Sequence, residues 1–249
     1  MGLMTRSRFW LWYTAIVAVV LASEVTNLEA IEFVAKPLLM PGLLFYLFSR
    51  TRGVADSEAL PFVRRVEFGL IFSWFGDILL MFTGQDELFF MGGLVAFLLA
   101  HFFYISAYLY SIWTAGEPES RCYAPFFRRR PWWIVPFVLL LIGLYGYLFP
   151  NLGSMRLPVL IYAVTILTMA ALALNRKGCV GDRSFWPVLV GSMLFVFSDA
   201  LIAVNRFATS VPKSGLIIMT SYIAAQYLIV EGAIAEGAGA HRKRPEEQG

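Results

Sequence analysis

Two aspartates of this 249-residue sequence lie inside long apolar stretches, where an ionisable side chain is costly. Asp77 follows residues 71–76 and Asp199 follows residues 194–198, and neither segment contains a charged residue. A carboxylate at the centre of a membrane-spanning helix costs roughly 2.5 to 3.5 kcal/mol, so such residues usually face a partner, a polar cavity or a reaction. Two carboxyls that meet can share one proton, which makes one an acid and the other a base. We therefore interpret Asp77 and Asp199 as candidate catalytic residues.

His101 lies in another apolar stretch, and Tyr104 and Tyr108 follow it by three and seven residues. At this spacing the three side chains share one face of a helix. No second histidine or cysteine stands at metal-ligand spacing, so we expect no metal ion and interpret His101 as a hydrogen-bonding or substrate-orienting group. Tyr104 is a candidate substrate contact, although packing explains many membrane tyrosines equally well.

Five more polar residues are candidate substrate-binding groups near the mouth of a cavity. Lys36 is an ammonium that needs a counter-ion, either a nearby glutamate or a substrate phosphate. Tyr222 and Gln226 are four residues apart and therefore share one helix face. Asn205 and Arg206 close an apolar stretch at its outer end.

The motifs of several hydrolase classes are missing from the sequence. It contains no Gly-x-Ser-x-Gly, no glycine-rich phosphate loop of the Walker type and no His-Glu-x-x-His. Serine-nucleophile and zinc-hydrolase chemistry are therefore disfavoured, and we expect no cofactor. The basic residues stand at the ends of apolar stretches rather than in one patch, which disfavours nucleic-acid binding.

The elements that must position these residues are membrane helices. Hydrophobic residues make up 59% of the chain, charged residues make up 15%, and the mean hydropathy is +0.68, so the chain cannot coat a soluble globule with polar groups. A spanning helix needs about 20 mostly apolar residues. Eight stretches meet or nearly meet this requirement, and we number them as spans one to eight: residues 9–26, 33–49, 66–82, 88–111, 131–149, 156–174, 184–205 and 213–234.

We predict an all-α fold, a polytopic membrane helix bundle of eight transmembrane helices without a separate soluble domain. Residues 1–234 form a single transmembrane domain, and the polar residues 235–249 form a disordered cytoplasmic tail. Span one has the composition of a signal peptide, but we expect it to be retained.

The lysines and arginines are distributed unequally between the two sides of the predicted bundle. All but four of these 20 residues fall on the side that holds both termini. The four exceptions are Lys36, Arg156, Arg206 and Lys213. The positive-inside rule therefore places both termini in the cytoplasm, with the bundle in a bacterial inner membrane or the endoplasmic reticulum. Cys122 and Cys179 fall in loops on the cytoplasmic side, so we expect no disulfide framework and no thiolate metal site.

A weak internal repeat relates spans three and four to spans seven and eight. A shift of 122 residues aligns Gly69 with Gly191, Phe75 with Phe197, Gly76 with Ser198, Asp77 with Asp199 and Leu79 with Leu201. Equivalent helices are four spans apart, an even number, so we predict two parallel four-helix repeats with both carboxyls at one depth. The small residues in the aligned pairs form faces on which helix backbones can approach closely.

Several segments together resemble the lysoplasmalogenase family of YhhN-type membrane proteins. They are residues 69–77 (GLIFSWFGD), 92–94 (GGL), 100–104 (AHFFY), 194–199 (LFVFSD), 205–207 (NRF), 36–37 (KP) and 222–226 (YIAAQ). The resemblance runs from span two to span eight and is most specific at the two aspartate blocks. It implies hydrolysis of the vinyl ether bond of lysoplasmalogen to a fatty aldehyde and a glycerophospho-choline or glycerophospho-ethanolamine.

The implied reaction fits the two aspartates. Vinyl ether hydrolysis begins with slow proton transfer to carbon and gives an oxocarbenium ion that water captures, so it needs an acid and a base but no nucleophile. One protonated aspartate would donate the proton, and its ionised partner would activate water. The lysophospholipid would enter from the outer leaflet of the lipid membrane, with its headgroup near Lys36, Asn205 and Arg206.

Two other classes of protein remain open from the sequence. A proton-coupled transporter of lipids or small molecules would use the same intramembrane acids and parallel repeats. A non-catalytic membrane scaffold would use the aspartates only to join helices, and asparagine in their place would leave its function intact. Release of a fatty aldehyde distinguishes the hydrolase from both.

Overall fold

The computed structural model describes residues 6–26, 28–52, 59–115 and 124–242, and the regular secondary structure in these ranges is entirely helical. We number its α-helices as α1 Arg6–Thr26, α2 Glu29–Ala35, α3 Leu39–Thr51, α4 Leu60–Leu80, α5 Glu87–Thr114, α6 Phe126–Arg129, α7 Val135–Leu148, α8 Arg156–Asn175, α9 Asp182–Phe207 and α10 Ser214–Arg242. The predicted all-α membrane bundle is confirmed.

The predicted count of eight spans is approximate. Seven helical stretches in the described part of the chain are long and apolar enough to cross a membrane. The remaining span, α4, has 21 residues but contains four charged ones, Arg64, Arg65, Glu67 and Asp77. It packs along α5 in the bundle, with Asp77 buried, while Arg64 is exposed and Arg65 and Glu67 are half-buried nearer the beginning of the helix.

Two prolines divide the second predicted span. α2 and α3 are joined by a 3₁₀ turn, Lys36–Leu38, because proline lacks an N–H and its ring collides with the carbonyl four residues earlier. The Pro37 carbonyl also lacks its usual donor, since the residue four positions later is Pro41. Trp74 of α4 supplies that donor through Nε1 at 2.8 Å. This bond fixes the break, and with it Lys36, against α4.

The bundle consists of two similar halves. α4 and α5 form one antiparallel hairpin and α9 and α10 form another, and these are the two most extensive helix pairings. A shift of 122 residues moves the first residue of α4 onto the first residue of α9 and moves α3 to a position within α8. The helix contacts obey the same relation between the halves. α3 lies against α4 and α10, and its equivalent α8 lies against their equivalents α9 and α5. These contacts support the predicted parallel repeats.

Glycines at equivalent positions allow each hairpin to close. A methyl group at Gly69 of α4 would collide with the Tyr104 ring of α5. A methyl group at Gly191 of α9 would lie 2.7 Å from the Ala225 carbonyl oxygen of α10. The small residues of the repeat therefore bring helices together within each hairpin.

A buried ion pair joins the helix ends on the arginine-rich side. Arg176, directly after α8, is fully buried and pairs with Glu236 of α10 at 2.8 Å. Its guanidinium also donates to Ser111 of α5 and to Ser184 of α9. One side chain thus joins α5, α8, α9 and α10 at this end of the bundle.

Two features differ from the sequence predictions. α10 continues to Arg242, so part of the tail predicted from residue 235 is helical, while residues 243–249 lie outside the described ranges. Cys179 is disulfide-bonded, which contradicts the expectation that the cysteines form no disulfide. Cys122 lies outside the described ranges.

We expect Gly69→Ala to lower the free energy of unfolding by roughly 1 to 3 kcal/mol, because the added methyl group overpacks the contact with Tyr104. Gly143→Ala on α7 is the matched control, since no atom lies within 4 Å of the added group. Thermal unfolding of both variants in detergent measures the difference. Equal melting temperatures would contradict the close approach of α4 and α5.

Candidate active site

An apolar pocket between α4, α5, α8 and α9 has a carboxyl group in its wall. Its empty volume, with the open mouth included, is about 480 Å³. The apolar lining residues are Leu80, Phe90, Leu94, Phe97, Val159, Ile202, Ala203 and Phe207. The polar ones are Tyr162 and Asp199. A lining of this kind suits an apolar group placed beside a carboxyl group.

Asp199 is hydrogen-bonded to Tyr162 of α8. The Tyr162 hydroxyl donates to Asp199 Oδ2. Tyr162 is absent from the residues predicted for the site. The signal that could have identified it is a tyrosine hydroxyl within the mainly apolar span six, six residues after the first residue of the predicted stretch.

Asp77 is buried and joined to α10. The Tyr222 hydroxyl donates to Asp77 Oδ2 at 2.8 Å. One turn later on α10, Gln226 donates to Ser73 Oγ at 2.9 Å and accepts from the Tyr104 hydroxyl at 2.7 Å. The network therefore connects α4, α5 and α10, and Tyr222 and Gln226 share a face as predicted.

The hydrogen bond between Tyr104 and Gln226 joins equivalent positions of the two repeats, because these residues are 122 apart in the sequence, which is the repeat shift. Equivalent residues that touch lie on the axis relating the two repeats. The donors to the aspartates break this symmetry. The position equivalent to Tyr162 is Met40, and the position equivalent to Tyr222 is Ala100. Asp77 and Asp199 thus occupy matching backbone positions with different surroundings.

The two carboxyls lie at matching positions but do not meet directly. Asp77 is residue 18 of α4 and Asp199 is residue 18 of α9, which supports the predicted equal depth from the helix beginnings. α9 continues farther beyond its aspartate than α4 does. The two charges are close enough to interact. Among the described residues no hydrogen bond joins the carboxyls, and each is bonded to its own tyrosine.

His101 lies between the two aspartate–tyrosine pairs. The side chain is fully buried, on the same face of α5 as Tyr104 and Tyr108, as predicted. Its ring meets the ring of Tyr162 at 5.4 Å between centroids and that of Phe195 at 4.8 Å. Phe195 in turn meets Tyr222 at 5.5 Å.

Lys36 lies on the Asp77 side of the site. Its Nζ pairs with Glu32 Oε1 at 2.9 Å, one turn earlier. The Lys36 charge also interacts with Asp77. The counter-ion that the sequence required is therefore a glutamate in the structure, with Asp77 as a second, more distant one.

Arg206 and Asn205 are separated from Lys36. Arg206 lies over the ring of Phe90, which lines the pocket, with 5.1 Å between Cζ and the centroid, and it is 3.8 Å from Glu87. Asn205 Oδ1 accepts from the Val211 N–H at 3.0 Å and so holds the loop between α9 and α10. Lys36 thus has different partners from Asn205 and Arg206, and their grouping around one headgroup stays a prediction.

The arrangement is suited to proton transfer on an apolar molecule. One carboxyl, Asp199, lies in the wall of a pocket lined mainly by hydrocarbon, and a second, Asp77, is buried outside that lining; each accepts a hydrogen bond from a tyrosine. Among the described residues, no three histidine, cysteine, aspartate or glutamate side chains cluster closely enough to hold a metal ion. The fold and the site together define a multi-pass helical membrane protein with an intramembrane carboxylate site.

Comparison with known proteins identifies the family. Residues 31–233 match the YhhN family model, and the chain belongs to the YhhN family. The resemblance predicted from the sequence is confirmed.

Several relatives of this chain are named lysoplasmalogenase. Lysoplasmalogenase TMEM86A of Bos taurus is 32% identical over 202 residues, which cover 78% of this chain and 75% of the relative. The protein of the same name from Homo sapiens is 30% identical over the same shares. A lysoplasmalogenase of Mycobacterium bovis is 33% identical over 145 residues, 57% of this chain and 50% of the relative. No solved structure matches the chain.

We expect Gln226→Leu to destabilise the protein by roughly 1 to 3 kcal/mol, because the buried Tyr104 hydroxyl and Ser73 Oγ lose the amide that bonds to both. Gln85→Leu, in the exposed turn between α4 and α5, is the control and should leave the melting temperature unchanged. Thermal unfolding in detergent is the measurement. Similar melting temperatures for both variants would show that the network contributes little to stability.

Proposed function

We propose that this chain is a membrane hydrolase of the lysoplasmalogenase type, which cleaves the vinyl ether bond of lysoplasmalogen to a fatty aldehyde and a glycerophospho-headgroup. Family membership and the names of its relatives support this activity. The observation that carries the proposal is the Asp199 carboxyl in the wall of an apolar pocket. The pocket would hold the alkenyl chain with its reacting carbons beside Asp199.

In the proposed mechanism Asp199 is the acid, because it borders the pocket while Asp77 is buried behind it. Asp199 transfers its proton to the β-carbon of the vinyl ether. The electron pair of the double bond forms the new C–H bond and leaves an oxocarbenium ion. The Asp199 carboxylate, oriented by Tyr162, then stabilises the cation.

Asp77 is the base in the hydration step. The oxygen of a water molecule forms a bond to the cationic carbon. The water proton passes to the Tyr222 hydroxyl, which donates its own proton to Asp77. The hemiacetal collapses when its hydroxyl proton goes to Asp199 and the Asp77 proton returns by the same route to the glycerol oxygen, whose bond to carbon breaks. Both aspartates regain their starting states.

The remaining candidate residues have supporting roles in this proposal. Arg206, beside the pocket-lining Phe90, would bind the substrate phosphate. Lys36 would stabilise the ionised form of Asp77. Tyr104 and Gln226 would hold α5 and α10 together around Tyr222. Asn205 would keep the loop at the pocket mouth in place.

We further propose that both termini are cytoplasmic, so that the pocket opens toward the outer leaflet. The distribution of lysines and arginines supports this orientation. The disulfide at Cys179, on the arginine-rich side, favours the opposite orientation, with that side outside the cytoplasm, because disulfides persist in oxidising compartments. The charges weigh more because they are spread over every loop of that side.

We expect Asp77→Asn and Asp199→Asn each to lower turnover by roughly 10² to 10⁴, because an amide keeps the shape of the side chain but transfers no proton. The measurement is aldehyde released from lysoplasmenyl-ethanolamine by purified protein. Asp182→Asn, exposed in the first turn of α9, is the matched control and should retain full activity. Either site variant working at more than about a tenth of the wild-type rate would contradict the assignment of the pair.

Isotope labelling tests the proposed bond changes. In heavy water, turnover should place one deuterium on the carbon next to the aldehyde. In oxygen-18 water, the glycerophospho product should remain unlabelled, because the bond between glycerol carbon and oxygen is never broken. The mass of this product is decisive because, unlike the aldehyde, it does not exchange oxygen with water. Oxygen-18 in the glycerol would show displacement at glycerol and exclude the mechanism.

A further inference from the structure

One fully buried side chain of the site has unused hydrogen-bonding capacity. Neither ring nitrogen of His101 has a hydrogen-bond partner among the described residues. The Phe97 carbonyl, one turn earlier on α5, approaches the ring without completing a hydrogen bond. A neutral imidazole offers one donor and one acceptor, and a buried polar group without a partner costs roughly 1 to 3 kcal/mol. Such a position favours a small polar molecule that can bond to the ring.

The position of His101 indicates what such a molecule would touch. Phe97 and Tyr162 both line the pocket, and His101 lies one turn from the first and in ring contact with the second. Tyr222 packs along the same face of α5, with its ring 5.8 Å from that of Phe97. A molecule bound to His101 would therefore lie just behind the pocket lining, in the ring cluster that contains both tyrosines bonded to the aspartates.

Hydrolysis consumes one water molecule in each turnover, and the lining of this pocket offers few groups to hold it. We propose that His101 binds the water that hydrolysis consumes and orients it toward the reacting carbon, an inference that rests on the proposed hydrolase function. The water donates one hydrogen bond to the unprotonated nitrogen of His101 and the other to the Tyr222 oxygen. Its lone pair is then free to attack the cation.

His101 is a positioning residue in this scheme. Its own protons are not exchanged, because the oxygen of the bound water forms the bond to carbon and the proton of that water leaves through Tyr222 to Asp77. Loss of the imidazole therefore affects capture of the cation but not its formation. Loss of capture with formation intact can be measured, and general damage to the protein does not produce this combination.

The test is His101→Phe, which keeps a ring against Tyr162 and Phe195 but offers no hydrogen bond. In heavy water we expect aldehyde release to fall roughly a hundredfold. The uncaptured cation returns a proton to Asp199, which exchanges with solvent, so recovered substrate should carry deuterium on its vinyl β-carbon. Substrate recovered from the wild-type protein should be unlabelled, because capture there is faster than return.

A second variant and two controls complete the experiment. His101→Gln can still bond to water and should recover at least about a tenth of wild-type turnover, with less deuterium in recovered substrate. Phe102→Leu, on the next residue and facing lipid, should behave as wild type. His101→Phe combined with Asp199→Asn should leave the substrate unlabelled, because the acid that forms the cation is gone.

The outcomes separate this inference from the proposed function. If the wild-type protein releases no aldehyde, the hydrolase proposal fails and the inference fails with it. If the wild-type protein is active, unlabelled substrate from a folded His101→Phe variant overturns the inference alone. Full activity of His101→Phe overturns it as well. If His101→Phe does not fold, a His101→Gln variant that is folded but inactive and leaves its substrate unlabelled also overturns it.

Discussion

A carboxyl group inside a membrane bundle is stable only where other helices supply hydrogen-bond donors, because lipid supplies none. Asp77 receives its donor from α10, and Asp199 receives its donor from α8. Each donor fixes the distance and rotation of one helix relative to another. The Asp77 bond therefore requires the two hairpins to come together, and the Asp199 bond requires α8 to pack against α9. The groups proposed to transfer protons thus also hold the bundle together.

The repeat explains how two identical side chains can have different roles. Symmetric surroundings would give Asp77 and Asp199 the same proton affinity, and acid and base roles would then be interchangeable. Here the pocket opens at one aspartate, and the tyrosine donors have no counterpart in the other repeat, where Met40 and Ala100 occupy the equivalent positions. Loss of symmetry in the side chains, on a backbone that keeps it, would separate the two proposed roles.

The sequence predicts features that depend on depth in the membrane better than those that depend on direction around a helix axis. The cost of a buried charge identifies Asp77 and Asp199, and the apolar stretches identify most spans. Depth alone groups Lys36 with Arg206, whereas in the structure Lys36 pairs with Glu32 of α2 and Arg206 lies over Phe90 of α5. Tyr162 could not be assigned because tyrosines in apolar helices have many possible partners. The disulfide at Cys179 was also missed, since loop composition does not determine which cysteines approach each other.

The ion pair of Arg176 has a mechanical consequence for lipid access. It joins four helix ends on the side of the bundle away from the pocket mouth, where the loops between α4 and α5 and between α9 and α10 lie. Helices held at one end can separate only by tilting about that end. α8 is about 30 Å long, so a tilt of roughly 8° moves its free end by about 4 Å, close to the width of one hydrocarbon chain. A tilt of this size would open a gap of that width beside α8, through which the proposed single-chain substrate would enter, while the arginine-rich end stays joined.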